Sequence, residues 1–223
     1  MGKTVVIIYS MLLVVALASC TTDNYDKGEG PYSAMHSDFS ELSTDANKQA
    51  VSFVTDDGDS YRLSTPLSAA WIATADTTYR TVIYYNKVEE GSAQVLQLSL
   101  VPTLIPTAPE EFERMPQDPV GFESIWLSRS KKYINVGLLL KNGRDEAGKE
   151  GVHIIGLVCD EVRQNADGTH TACYRLLHDQ GDAPQYYTNS HYISILLPEE
   201  LPDSVQLTIQ TYDGVEVRTL SVS

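Results

Sequence analysis

Positive charge is scarce in this sequence of 223 residues. Lys and Arg number 16 against 30 Asp and Glu, so the formal net charge is -14. No basic cluster offsets the deficit, and a surface of this sign repels phosphate, which excludes a nucleic-acid-binding protein. Hydrophobic residues make up 42% and charged residues 21%, a composition typical of a chain that buries a core.

Long hydrophobic runs are equally scarce. The one at the N-terminus, residues 5–17, follows Lys3 and is shorter than the ~20 apolar residues that a membrane-spanning helix requires. It ends in Leu-Ala-Ser-Cys at residues 17–20, the pattern of a bacterial lipobox. Residues 1–19 are therefore predicted to be a lipoprotein signal peptide, with Cys20 as the lipidation site. An ordinary signal peptide followed by a chance cysteine is the alternative.

Recognised catalytic motifs are missing. The sequence has no Gly-x-Ser-x-Gly elbow, Walker loop, His-Glu-x-x-His or Cys-x-x-Cys pattern, so we predict no catalytic residue and no cofactor. Asp56, Asp57 and Asp59 surround Gly58 but lack the later acids and the terminal Glu of a calcium loop. They are interpreted as a solvated turn.

A zinc site is a minor alternative among the histidines. Hairpin pairing would bring His153 next to His178, with Asp179 or Asp182 nearby, and two imidazoles with a carboxylate suit zinc. A polar sheet face explains these residues equally well. We therefore predict no metal.

Amphipathic helices and internal repeats are not evident, and the pattern predicts an all-β fold. Residues 32–107 are interpreted as a small OB-like partial barrel, in which residues 66–78 form a short helix or a plugging loop. A proline-rich linker at 108–117 cannot continue a sheet interior. Residues 118–223 are predicted to form seven strands separated by frequent turns, which indicates a β-sandwich. The strands predicted for the barrel are 50–55, 60–64, 79–89 and 93–101, with a possible fifth at 32–39.

Only two cysteines remain after Cys20. Cys159 and Cys173 flank a turn signal at residues 165–168, and a three-residue loop would place them opposite each other. We expect either a cross-strand disulfide in an oxidising compartment or two buried free thiols.

Paired tyrosines are the clearest binding signal. The pairs are Tyr84-Tyr85 and Tyr186-Tyr187, and successive strand residues point to opposite faces, so one ring of each pair is expected to be exposed. Tyr186, Tyr187, Asn189 and His191 form the predicted ligand-binding patch. The alternative is that outward-facing tyrosines support the sheet.

The chain resembles the NigD-like lipoproteins of Bacteroidota. The resemblance rests on the Asp57-Gly58 hairpin, on Asp118-Pro119-Val120 before Trp126, on residues 133–136 (Tyr-Ile-Asn-Val) and on Tyr212-Asp213-Gly214. It implies a lipidated N-terminus, an OB-like domain and a C-terminal β-sandwich. The family name comes from a gene neighbourhood linked to a bacteriocin, and no catalytic residues are established for the family.

The resemblance also bears on location. In such lipoproteins a dense acidic run after the lipidated cysteine directs export to the surface, whereas acids such as Asp23 and Asp26 are sparse in the tether predicted at residues 20–31. An outer-membrane lipoprotein is expected, and periplasmic and surface-facing orientations both remain open.

Two functions follow. The first is a noncatalytic envelope protein, anchored in the membrane by its lipid, that binds a protein partner or a glycan, with a bacteriocin-related version included. The second is an envelope hydrolase that uses carboxylates brought together by folding, such as Asp118, Glu123 or Asp179.

Overall fold

In the computed structural model, residues 34–89 and 91–222 are described, and strands dominate them. Residues 1–19, the tether and Cys20 lie outside the described residues. The strands in chain order are β1 His36–Thr44, β2 Ala50–Thr55, β3 Ser60–Leu67, β4 Thr78–Glu89, β5 Ser92–Leu100, β6 Thr103–Leu104, β7 Gly121–Leu127, β8 Tyr133–Asn142, β9 Ile154–Gln164, β10 His170–Asp179, β11 Tyr187–Leu196, β12 Ser204–Thr211 and β13 Gly214–Ser221. A short 3-10 helix spans Pro109–Glu111.

The first five strands form a closed barrel in the order β1-β2-β3-β5-β4. The partial barrel expected from the sequence is thus corrected to a complete one. The fifth strand predicted at 32–39 corresponds to β1 but ends too early, because β1 continues to Thr44. It pairs with β4 from His36–Tyr85 to Ser43–Thr78. Neighbouring strands run antiparallel except β3 and β5, which pair in parallel at Arg62–Ser92 and Leu63–Ala93.

The connection between β3 and β4 plugs the barrel. Ile72 is 7% exposed and belongs to the barrel core with Leu42, Phe53 and Tyr85. A turn in which the Ile72 amide donates to the Ala69 carbonyl, 3.0 Å away, aims this segment inward. The segment is a loop rather than a helix, so the second of the two predicted forms is confirmed.

Two four-stranded sheets make up the sandwich, in the orders β13-β12-β10-β9 and β6-β11-β8-β7. Their facing sides bury a shared apolar core that includes Ile134, Leu138 and Leu207. The seven predicted strands are present and an eighth, β6, comes from the proline-rich connection. Thr103 and Leu104 pair with Ser194 and Ile195 at the sheet edge, the place where strands tolerate flanking prolines. The predicted division into a barrel domain (32–107), a linker (108–117) and a sandwich domain (118–223) stays a prediction.

Both faces of strand β8 are buried, one in the sandwich core and the other against the barrel. Successive residues point to opposite faces: Ile134 and Val136 enter the sandwich core, whereas Tyr133 and Asn135 contact the barrel residues Arg80 and Glu41. This explains why β8 has a nearly continuous apolar sequence with a single buried Asn in its first half.

A polar network closes this junction. Arg80 of β4 is 5% exposed and donates to both carboxylate oxygens of Asp56 at 2.6 Å. It also donates to Asn135 Oδ1 at 3.0 Å and to Ser194 Oγ at 3.1 Å, both from the sandwich. The guanidinium carbon lies 4.1 Å from the centre of the Tyr133 ring. Because each donor has a fixed acceptor, the network sets the orientation of β4 against β8 and β11.

Candidate functional site

A cleft of about 650 Å³ lies where the barrel meets the sandwich. The outer faces of β4 and β5 form one wall, and β8, β11 and the segment before β9 form the other. The polar and aromatic residues that line the cleft are Tyr84, Gln97, Ser99, Asn142, Glu150, His153, Asn189, Ser190, His191 and Tyr192.

The cleft offers hydrogen bonds and ring faces with little charge. Among its described lining residues, Glu150 is the one carboxylate and no Lys or Arg occurs. Tyr192 is 39% exposed, and Tyr84 is half-buried on the barrel side. Amides, hydroxyls and imidazoles beside aromatic rings suit an uncharged polar ligand.

A chain of hydrogen bonds runs along the sandwich wall of the cleft and into the protein interior. Buried His178 places Nδ1 3.0 Å from the Asp118 carbonyl oxygen and Nε2 2.9 Å from His153 Nδ1. The second nitrogen of the His153 ring, Nε2, is 2.9 Å from Asn142 Oδ1. Asn142 Nδ2 in turn lies 3.3 Å from His191 Nε2. The chain therefore connects a fully buried imidazole with one that faces the cleft.

Burial favours the neutral forms of His153 and His191. Desolvation lowers the pKa of His153, and the nearby His178 and His191 rings lower it further. Desolvation also lowers the pKa of His191, although the Glu150 carboxylate opposes that shift.

The predicted ligand patch is divided by the structure. Asn189 and His191 line the cleft, whereas Tyr186 and Tyr187 do not. Tyr187 lies at the cleft edge, with its hydroxyl 3.4 Å from Glu150 Oε1, and Tyr186 is 78% exposed. The ligand-binding role of all four stays a prediction.

The two tyrosine pairs behave differently. Tyr85 is 1% exposed in the barrel core and donates to Asp38 Oδ2 at 3.0 Å, while Tyr84 lines the cleft. The expected buried ring is therefore Tyr85, whereas Tyr84 is half-buried rather than exposed. The expectation of one buried and one exposed ring is wrong for Tyr186 and Tyr187, which are both exposed, because Tyr186 precedes β11 and lies outside the sandwich core.

The zinc alternative receives partial geometric support. His153 does contact His178, but Asp179 pairs with Arg114 at 2.6 Å and Asp182 is exposed. Within the described ranges, no group of three or more His, Cys, Asp or Glu side chains is arranged to hold a metal ion.

The carboxylates named for a hydrolase have separate partners. Asp118 Oδ2 accepts from the Gln180 amide at 2.8 Å, Glu123 Oε2 accepts from Ser190 Oγ at 2.7 Å, and Asp179 binds Arg114. None of the three lines the cleft. The aspartates of the first hairpin are also engaged: Asp56 with Arg80, Asp57 with Arg129 and Asp59 with Lys87. Asp56 is therefore part of the junction rather than of a solvated turn.

The cysteines do not face each other as expected. Cys173 pairs with Glu161 and Tyr174 pairs with Cys159, because a bulge shifts the register between them. Cys159 packs against the sandwich core with Tyr174, whereas Cys173 alternates with the core residues Ala172 and Tyr174 and so points to the opposite face. Both thiols are free in the structure. The predicted register is wrong, since a two-against-one bulge leaves no mark in a turn motif.

Sequence reasoning identified His153 and His191 but did not connect them with each other or with the barrel wall. Asn142 and Glu150 were missed altogether. The available signal was an Asn at the end of the apolar strand β8, where a buried amide requires partners. The barrel residues Gln97 and Ser99 carry no comparable signal, since polar residues are ordinary on the outer face of a strand.

No family model matches this sequence, and no curated protein matches it. Solved structures do. A NigD-like immunity protein from Bacteroides caccae is 22% identical, with a TM-score of 0.61 over 83% of this chain and 91% of that chain. A protein from Parabacteroides distasonis, provisionally described as toxin related, is 16% identical with a TM-score of 0.60 over 83% and 92%. A provisionally assigned lipoprotein from Bacteroides fragilis is 13% identical with a TM-score of 0.61 over 85% and 98%.

At these identities the likeness establishes the fold. The structures cover both the barrel and the sandwich, as the extent of the matches requires. The resemblance noted from the sequence is therefore confirmed as a shared architecture: this chain has the fold of a solved NigD-like immunity protein and of other solved proteins of Bacteroidales.

Proposed function

We propose that the protein is a lipid-anchored, noncatalytic binding protein of the cell envelope that holds an uncharged glycan in the cleft between barrel and sandwich. The cleft carries this proposal. It combines side-chain amides, hydroxyls and imidazoles with the rings of Tyr84 and Tyr192, and sugars are bound by stacking on aromatic rings together with hydrogen bonds to their hydroxyls.

Rigid framing of the cleft supports binding. The Arg80 network fixes one wall against the other, so little conformational freedom is lost when a ligand enters. OB-type barrels also bind oligosaccharides on a face and its loops, although fold alone does not define a ligand.

The hydrolase alternative has less support. Carboxylate-based glycoside hydrolysis uses a pair of acids roughly 5–10 Å apart, and Glu150 is the single acid among the described residues lining the cleft.

The envelope location is proposed from the N-terminus. Residues 17–20 end in the cysteine of a lipobox, and a neighbour of the same fold is provisionally assigned as a lipoprotein. In the described part of the chain, no helix is long and apolar enough to cross a membrane. We infer that the attached lipid holds the protein at the outer membrane.

A protein partner is the second candidate. A structure of this fold is described as an immunity protein, and we propose a protein partner for this chain by analogy. Tyr186 and Tyr187 lie exposed outside the cleft, and exposed tyrosines are frequent at protein interfaces. A bacteriocin is the partner class that this reading implies.

Binding to an array of neutral and acidic oligosaccharides tests the proposal. We expect the purified chain to bind neutral glycans, and Tyr84→Ala or His191→Ala to weaken binding about tenfold, which corresponds to about 1.4 kcal/mol. Tyr212→Ala is the matched control, since it removes an exposed ring outside both the cleft and the predicted patch, and it should bind as the wild type does.

Three outcomes would contradict the proposal. One is full glycan binding by both cleft variants. Another is glycan turnover that is lost in Glu150→Gln, which would establish an enzyme. The third is the lack of any glycan binding together with capture of a purified bacteriocin that is lost in Tyr186→Ala/Tyr187→Ala, which favours the second candidate.

A further inference from the structure

The His153–His178 pair has hydrogen-bond acceptors at both ends. At one end, His178 Nδ1 contacts the Asp118 carbonyl oxygen. At the other end, His153 Nε2 contacts Asn142 Oδ1. A carbonyl oxygen cannot donate, so both outer ring nitrogens must carry a proton in this arrangement. The inner bond, 2.9 Å from His153 Nδ1 to His178 Nε2, needs a third proton.

Three protons on two imidazoles amount to one positive charge. Two neutral rings carry only two protons, so the neutral pair cannot form all three bonds with Asn142 in this orientation. The hydrogen bonds of the structure thus correspond to the singly protonated pair.

The orientation of Asn142 is itself supported by a third group. Its Nδ2 donates to the Leu140 carbonyl oxygen at 3.3 Å, which keeps Oδ1 toward His153. When the pair loses its extra proton, rotation of the amide by half a turn restores a donor to His153 Nε2. The same rotation turns Oδ1 toward His191 and forfeits the bond to Leu140.

We propose that the proton content of the His153–His178 pair sets the orientation of the Asn142 amide and, through it, which nitrogen of His191 carries the proton, so that the cleft changes its hydrogen-bonding character with pH. In the protonated state His191 Nε2 accepts from Asn142, and its Nδ1 bears the proton. In the neutral state His191 Nε2 donates to Asn142 Oδ1, and its Nδ1 becomes an acceptor. The effect on ligand binding rests on the proposed function, whereas the exchange of tautomers does not.

The groups around the pair favour a transition on the acidic side of neutrality. His178 of β10 and His191 of β11 face His153, and burial together with these rings lowers the pKa of His153, although a hydrogen bond with the Lys141 backbone opposes that shift. Glu150 acts on His191, the Asp118 carboxylate accepts from the Gln180 amide, and the Lys141 ammonium lies over the Tyr212 ring at 4.1 Å. The protonated state is therefore the low-pH state.

Long-range proton–nitrogen correlation spectra of the purified full chain test this without any ligand. Between about pH 4.5 and pH 8 we expect His191 to change from the Nδ1-protonated to the Nε2-protonated tautomer in the same step in which the pair loses one proton. In Asn142→Asp a carboxylate accepts from both neighbours, so His191 should keep the Nε2 proton throughout, and His153 should hold both protons to higher pH. Asn189→Ala, a cleft residue outside the chain of bonds, should titrate as the wild type does.

A His191 tautomer that is constant through the titration of the pair would overturn the proposal, as would wild-type behaviour of His191 in Asn142→Asp. A second variant, Asn142→Leu, removes the link altogether, and an exchange of tautomers that persists in it would have the same consequence. Lack of glycan binding on the array would instead contradict the proposed function and leave this result standing.

Discussion

Arg80 and Asp56 form a two-pronged ion pair in which both guanidinium NH₂ groups lie 2.6 Å from the carboxylate oxygens. The Arg80 side chain is 2% exposed and that of Asp56 is 17% exposed. Both residues belong to the barrel, yet the remaining donors of Arg80 reach Asn135 and Ser194 of the sandwich. The ion pair thus orients the Arg80 side chain so that it can donate hydrogen bonds to the sandwich.

Replacing Arg80 by Met should lower the free energy of unfolding by about 3 kcal/mol, because it leaves the Asp56 carboxylate largely buried without its cation. Urea unfolding of the full chain measures this loss. In Arg80→Met/Asp56→Asn part of the stability should return, since the uncompensated charge is gone. A double variant that is less stable than Arg80→Met would show that the charge is not the cause.

The link between Glu41 and β8 predicts a dependence of stability on pH. Burial raises the pKa of Glu41, but hydrogen bonds from Lys132 and from the Tyr133 hydroxyl outweigh it, so the pKa is lowered. A lowered carboxyl pKa stabilises the fold above the unfolded-state value of about 4.3, and this contribution is lost as the pH falls further. Glu41→Gln should therefore reduce stability by roughly 0.5–1 kcal/mol at pH 7 and hardly at all at pH 3.

Urea unfolding of Glu41→Gln at the two pH values checks this sign. Glu199→Gln, in the exposed turn between β11 and β12, is the control and should differ little from the wild type at either pH. An equal loss at pH 7 and pH 3 would mean that the ionised carboxylate does not make the contribution.

The thiols of Cys159 and Cys173 should be protected but free. Burial raises the pKa of both, and the Asp160 carboxylate adds to the effect at Cys159, so the reactive thiolate is rare in the folded protein. Intact-mass measurement of exported Cys20→Ala protein, alkylated without reductant, should show slow labelling when folded and two adducts after unfolding. If the unfolded protein labels only after reduction, the cysteines are bonded and the bulge register is wrong.

Cys20→Ala should release the exported protein from membranes, because it removes the proposed site of lipid attachment. Fractionation of cells that express the variant measures this, with wild-type protein as the reference. Protein that still sediments with membranes and incorporates a fatty-acid label would contradict the lipobox interpretation.

Local patterns predicted much of this fold, and contacts between distant residues account for what they missed. Alternating strands and Gly turns such as Asp57-Gly58 are encoded within a few residues, and most strands were found close to their observed bounds. Closure of the barrel depends on β1 meeting β4, some forty residues further along the chain, and the sequence does not specify that meeting locally.

The candidate site shows the same limit more strongly. Asn189 and His191 were identified from their own strand, but the opposite wall comes from β4 and β5, and only tertiary packing brings it there. Asn135 in the apolar stretch Tyr133–Val136 was the available sign of the junction, because a polar residue in a buried strand must be hydrogen-bonded.

The position of β1 has a mechanical consequence. This strand receives the chain directly from the N-terminal segment and is hydrogen-bonded on both sides, to β2 and to β4. Tension applied through an N-terminal lipid would therefore load two antiparallel ladders at once, instead of peeling a single edge strand away. Unfolding from the N-terminal side would have to break both ladders together, and β4, which forms a wall of the cleft, belongs to one of them.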